Sequence, residues 1–140
     1  MSFHEKSNLA VLVILSIVFG GYFAFVFPRF AGSDDVPSSG AIWGLMFVLT
    51  LLPLVLSVAV MTILAVFSPK EAGPGDERDR TIEMRADARG GFVLMVGMIG
   101  LMLLLVRDTE PFWLANTLLV YVAAAELAKG LSRAIAYRRG

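Results

Sequence analysis

Four long apolar stretches alternate with short polar segments along this chain. The first runs from Leu9 to Phe27 without a charge and meets Pro28-Arg29. The second runs from Ala41 to Phe67 and holds Pro53 inside it. The third, Gly90 to Val106, closes on Arg107-Asp108. The fourth opens at Pro111-Phe112, stays uncharged to Ala125, and continues past Glu126. A helix needs about 20 apolar residues to cross roughly 30 Å of hydrocarbon. The pattern therefore predicts transmembrane helices at about 9–27, 41–67, 90–106 and 112–134. Pro28 is expected to end the first. The second reaches about 40 Å at the usual helical rise, so it should tilt or protrude. Pro53 should kink it, because proline lacks a donor and clashes one turn back. Pro111 suits a first helical turn.

Composition removes the soluble alternative. Hydrophobic residues make up 57% of 140, and 13 glycines come on top. A soluble domain of this size could not bury that much apolar surface. The expected fold is all-α: two transmembrane helical hairpins forming one four-helix membrane bundle over residues 1–140. The first stretch is longer than a signal peptide's apolar region and lacks a clear small-x-small cleavage site after it. It is therefore read as a span.

Orientation follows from Lys and Arg in the short connections. Lys6, Lys70, Arg78, Arg80, Arg85, Arg89, Lys129, Arg133, Arg138 and Arg139 fall on one side. Only Arg29 and Arg107 fall on the other. Both termini and the central connection are expected in the cytoplasm. Trp43 and Trp113 sit near the opposite interface, as membrane anchors do.

The central segment holds most of the unusual chemistry. Ser68 to Gly75 reads as a turn, punctuated by Pro69, Gly73, Pro74 and Gly75. The stretch 76–89 then lacks Pro and Gly, and Asp76 and Glu77 suit a helix N-terminus. It is expected to be a cytoplasmic helix running into the third span, with a bend at Gly90-Gly91. Arg80 can meet Asp76, Glu77 or Glu83 at helical spacing. Arg78, Arg85 and Arg89 have no acid three or four residues away. Asp79 and Asp87 each stand four residues from Glu83, a like-charge spacing. Such a pair is worth only about 0.2–0.5 kcal/mol. One reading is a solvated face with headgroup contacts; the other is partners on further helices or another protein.

The block Asp76-Glu77-Arg78 with Ile82, directly before a third span, resembles a family of short prokaryotic membrane proteins of unknown function with four predicted spans. Pro111-Phe112-Trp113-Leu114-Ala115-Asn116, Ala125-Glu126-Leu127-Ala128-Lys129 and the basic tail extend the likeness over roughly 76–140. The resemblance implies a bacterial inner membrane and carries no catalytic residues with it.

Glu126 is the one acid within an otherwise apolar span, about 21 Å into the fourth helix. A charge at mid-bilayer costs on the order of 2.5–3.5 kcal/mol on the insertion scale. Lys129 offers a local partner, and Arg85 or Arg89 could reach it if the third and fourth helices pack. Glu126 is thus either half of a structural charge pair or a proton or cation site. Asn116, Thr50, Thr62, Ser16 and Ser57 are expected to bond across helices or to their own turns. Gly90, Gly97 and Gly100 on helix three, and Gly40-x-x-x-Gly44 on helix two, suggest close helix contacts.

Other chemistry finds little support. Cysteine is absent, which excludes disulfides and thiolate chemistry. A single histidine, His4, lies in a start that looks disordered, and a His-based metal site needs more ligands. Asp34-Asp35 reads as a solvated turn. Zero formal net charge leaves no footprint for nucleic acid. No nucleophile–base set and no cofactor motif is present. The expectation is a non-enzymatic accessory or regulatory protein, or a small subunit of a membrane complex, with a membrane-protein partner or a second copy of itself. Its interaction or structural charges would be Asp76, Glu77, Arg78, Asp79, Arg80, Glu83, Arg85, Arg89, Glu126 and Lys129. The competing reading is a small proton-coupled transporter using Glu126.

Overall fold

The computed structural model describes residues 3–31, 38–67 and 76–139. Of these, 94% are helical, in four helices with no strand. All four are long and apolar enough to cross a membrane. The protein is an all-α, multi-pass membrane protein. Helix α1 covers Phe3–Ala31, α2 Ser39–Phe67, α3 Glu77–Val106 and α4 Pro111–Arg138. Asp34-Asp35, Lys70 and the turn at Ser68 to Gly75 lie outside the described residues.

Helix α1 begins earlier and ends later than the apolar pattern suggests. Its start is not disordered: it is helical from Phe3, and Ser7 and Asn8 are buried. Asn8 donates from Nδ2 to the Gly130 carbonyl of α4 at 2.9 Å. A contact across 122 residues holds this turn in place, and no local signal announces it. At the other end Pro28 does not stop the helix, which continues to Ala31. A π-helical turn, Tyr22–Val26, lies just before the proline, and the Phe27 N–H reaches back to the Tyr22 carbonyl. A proline ring in a regular α-helix would strike the carbonyl four residues back. The wider turn covers Ala24, the residue that would be struck, and lets the chain continue.

Helix α2 is likewise unbroken through Pro53, which is buried within it. Thr50 and Thr62 bond back to the carbonyls of Met46 and Val58, each at 2.8 Å. Ser and Thr hydroxyls inside a helix can bond back to the carbonyl four residues earlier in this way. Helix α3 starts on a capping box: the Asp79 N–H donates to Asp76 Oδ1 at 2.9 Å, and the Asp76 N–H to Asp79 Oδ2 at 3.3 Å. It then runs without interruption through Gly90-Gly91 to Val106. Asp108 follows in the left-handed region at φ 51°. The N–H groups of Asp108 and Thr109 return to the carbonyls of Leu105 and Leu104. That pattern closes a helix by satisfying its last carbonyls. Pro111 then opens α4.

Helix α4 is the centre of the bundle. It packs against α3 and against α1, while α2 rests mainly on α1 and meets α4 lightly. Neighbours are antiparallel: Arg89 of α3 meets Ser132 of α4, and Gly97 meets Tyr121. The start of α1, the start of α3 and the end of α4 therefore share one end of the bundle, the termini end. Lipid is as apolar as leucine, so contact between spans rests on close packing and hydrogen bonds rather than on escape from water. Both devices are present. Leu15, Phe19 and Tyr22 of α1 pack with Leu49 of α2 and with Leu119 and Ala123 of α4. At the far end Phe112 is fully buried and stacks on Phe27, with centroids 6.0 Å apart and planes at 7°. Trp113 meets Phe27 edge-on, while Trp43 is 77% exposed.

Glycines bring α3 and α4 close along the part of their seam from Gly90 to Gly100. A Cβ at Gly97 would run into Cβ and Cγ of Tyr121, and one at Gly90 into the stem of Lys129. Gly100 lies under the Tyr121 hydroxyl. Gly130, on the other face of α4, receives Leu12 of α1. A Cβ at Gly40 or Gly44 would meet nothing among the described residues, so no close helix contact there uses their small size.

Candidate functional site

The charged start of α3 is ordered, and its charges are sorted by sign. Ile82, Ala86 and Gly90 form the buried seam against α4. Their spacing of four residues places them on one stripe. Asp79, Glu83 and Asp87 repeat at the same spacing and flank that stripe on one side. Arg78, Arg85 and Arg89 flank it on the other. Glu77, Arg80, Met84 and Ala88 occupy the outer face and are exposed.

This sorting accounts for the like-charge spacing of the acids. Two of the three meet partners on other helices. Asp79 lies 3.9 Å from His4 of α1 and accepts a hydrogen bond from the Tyr137 hydroxyl of α4. Asp87 pairs with Arg133 of α4 at 3.3 Å. Glu83 is exposed on the same flank. His4, Asp87, Arg133 and Tyr137 were not among the candidate site residues read from sequence, although Asp87 was noted for its like-charge spacing from Glu83. The signal for them was there: three acids at a four-residue repeat must find cations off their own helix or repel one another.

The basic flank has no such partners. Arg78, Arg85 and Arg89, with Arg139 of α4, line a groove of about 450 Å³. Among the described residues none of the four forms an ion pair. Arg89 donates from Nη1 to Ser132 Oγ at 3.0 Å, which fixes its guanidinium. Ile82, Ile135 and Ala136 form the groove's apolar wall. Arg80 makes no ion pair with Asp76, Glu77 or Glu83, although the spacing allows all three. Asp76 and Asp79 are engaged in the capping box instead.

Glu126 and Lys129 are joined at 2.7 Å on α4. Neither Arg85 nor Arg89 reaches Glu126; Arg89 goes to Ser132. The lysine stem crosses Gly90 of α3 on its way. The pair thus uses the glycine seam to lay an aliphatic chain across the helix contact while its charged head meets the carboxylate. Asn116 is fully engaged: its Oδ1 accepts from the Tyr22 hydroxyl at 2.7 Å, and its Nδ2 donates to the Phe112 carbonyl at 2.8 Å.

An apolar crevice of about 330 Å³ lies between α2 and the α3–α4 pair, lined by Trp43, Met46, Leu101 and Leu118 among others. Its hydroxyl, Thr50, is already bonded to its own helix. No group of three or more metal-ligating side chains gathers among the described residues. No protein-family model, curated protein or solved structure matches this chain.

Proposed function

We propose that this chain is a non-enzymatic accessory or regulatory subunit of a bacterial inner-membrane complex, with both termini and the start of α3 in the cytoplasm. The carrying observation is the outer face of α3. The helix is pinned there by a capping box, by Asp79 and by the Asp87–Arg133 pair. Yet Met84 remains 69% exposed, beside exposed Arg80 and Glu77. A rigid helix face with one large apolar side chain among charges fits docking of another protein. The distribution of Lys and Arg supports the orientation, and the block from Asp76 to Ile82, which resembles prokaryotic membrane proteins, fits a bacterial membrane. A transporter built on Glu126 has less support, because Lys129 already engages that carboxylate.

Two measurements test this reading. A reporter enzyme active only outside the cytoplasm, fused after Gly140, should be inactive; strong activity would overturn the orientation. A photo-crosslinking residue at position 84 should capture one membrane protein in cells, and the chain should co-purify with it from mild detergent. Arg80→Ala should reduce that yield severalfold. A partner-free chain with no crosslink would overturn the accessory role.

A further inference from the structure

We propose that the arginine groove between α3 and α4 is a binding site for a phosphate-bearing anion, held where α3 enters the bilayer. The inference does not rest on the accessory role. It rests on the sorting of charge along α3.

Four guanidinium groups line one groove without a carboxylate among them. Arg85 and Arg89 are four residues apart on one helix, a spacing at which like charges repel. Asp79 and Asp87, on the opposite flank, are engaged by His4, Tyr137 and Arg133, and no carboxylate among the described residues pairs with the four arginines. A groove built this way is left with an unmet need for negative charge. Guanidinium forks match phosphate oxygens two at a time, which an ammonium does not. Arg89 is already oriented by Ser132, which is only 9% exposed.

Position and lining indicate the source of the phosphate. Arg89 immediately precedes the uncharged run that begins at Gly90. The Arg89 end of the groove therefore lies at the level where lipid headgroups begin. Its wall of Ile82, Ile135 and Ala136 offers apolar surface beside the arginines. Basic pockets between membrane helices at this depth suit acidic phospholipid headgroups, which present a phosphate and an acyl chain together.

The test uses the full chain in a neutral maltoside detergent. Phosphatidylglycerol or phosphatidylcholine is titrated in, with bound lipid counted by native mass spectrometry. Phosphatidylglycerol should bind at least tenfold more tightly than phosphatidylcholine. Arg78→Gln with Arg85→Gln should lower that affinity at least tenfold. Both residues are exposed, so the melting temperature in pure detergent should hold; if it falls, Arg139→Gln on α4 repeats the measurement. Arg80→Gln with Arg138→Gln removes equal charge at the same end, outside the groove, and should leave binding within twofold of wild type. Inorganic phosphate is titrated without lipid as a separate arm. Stabilisation by phosphate alone, lost in the groove variant, would support the anion site and assign it a soluble ligand. Equal affinity for the two lipids with no effect of phosphate would overturn the proposal. So would equal losses in the groove and control variants.

Discussion

Gly97→Ala should destabilise the folded chain by about 1–3 kcal/mol, the usual cost of forcing atoms into a filled contact. The neighbour decides this. A Cβ at position 97 would stand 2.7 Å from Tyr121 Cβ and nearer still to its Cγ. No side-chain rotation moves the tyrosine Cβ, so even if the ring swings away the α4 backbone must retreat. Gly90→Ala should be much milder, because the obstruction there is the methylene stem of Lys129. That stem has several rotatable bonds and can swing aside. Thermal unfolding in mild detergent gives the ranking. Tyr121→Gly supplies the decisive background, since it removes all three obstructing atoms. In that background Gly97→Ala should be neutral or stabilising, because alanine is favoured over glycine inside a helix by about 1 kcal/mol. An equal loss in both backgrounds would mean that the α3–α4 seam is not held as described.

The helices were legible in the sequence because they depend on runs of composition. A span is long, uncharged and insensitive to detail, so each expected stretch falls within one observed helix. The helix ends were less legible. The π turn at Tyr22 carries α1 past Pro28, and a long-range bond from Asn8 orders its first turns. Neither has a local signature. The charged segment was legible as a helix with Asp76 at its start, because capping is local chemistry. Its partners were not, since His4 and Tyr137 are distant in sequence and meet Asp79 only after α1, α3 and α4 assemble. The glycines divide in the same way. Gly97 and Gly40 look alike in a sequence, and only the neighbour shows that one is packed and the other open.

Removing either half of the Tyr22–Asn116 bond should cost about 1–2 kcal/mol, and removing both should cost less than the sum. Both residues are 3% exposed, so neither has water to turn to. In Asn116→Leu the Tyr22 hydroxyl loses the acceptor that now lies 2.7 Å away. In Tyr22→Phe the Asn116 oxygen keeps its lone pairs without a donor. A buried polar group left alone costs roughly 1–3 kcal/mol, whereas replacing both partners by apolar groups of similar shape can be nearly neutral. Bonds between membrane helices average about 0.6 kcal/mol and reach about 1.7, which sets the upper part of the expected range. The Asn116 amide also bonds the Phe112 carbonyl at 2.8 Å, so Asn116→Leu should be the more costly single change. Melting of the two single variants and the double variant in one detergent closes the cycle. A favourable coupling of about 1 kcal/mol is expected for groups in direct contact. Strict additivity would mean that the bond does not tie α1 to α4. Asn116 would then serve chiefly its own helix, through its bond to the Phe112 carbonyl.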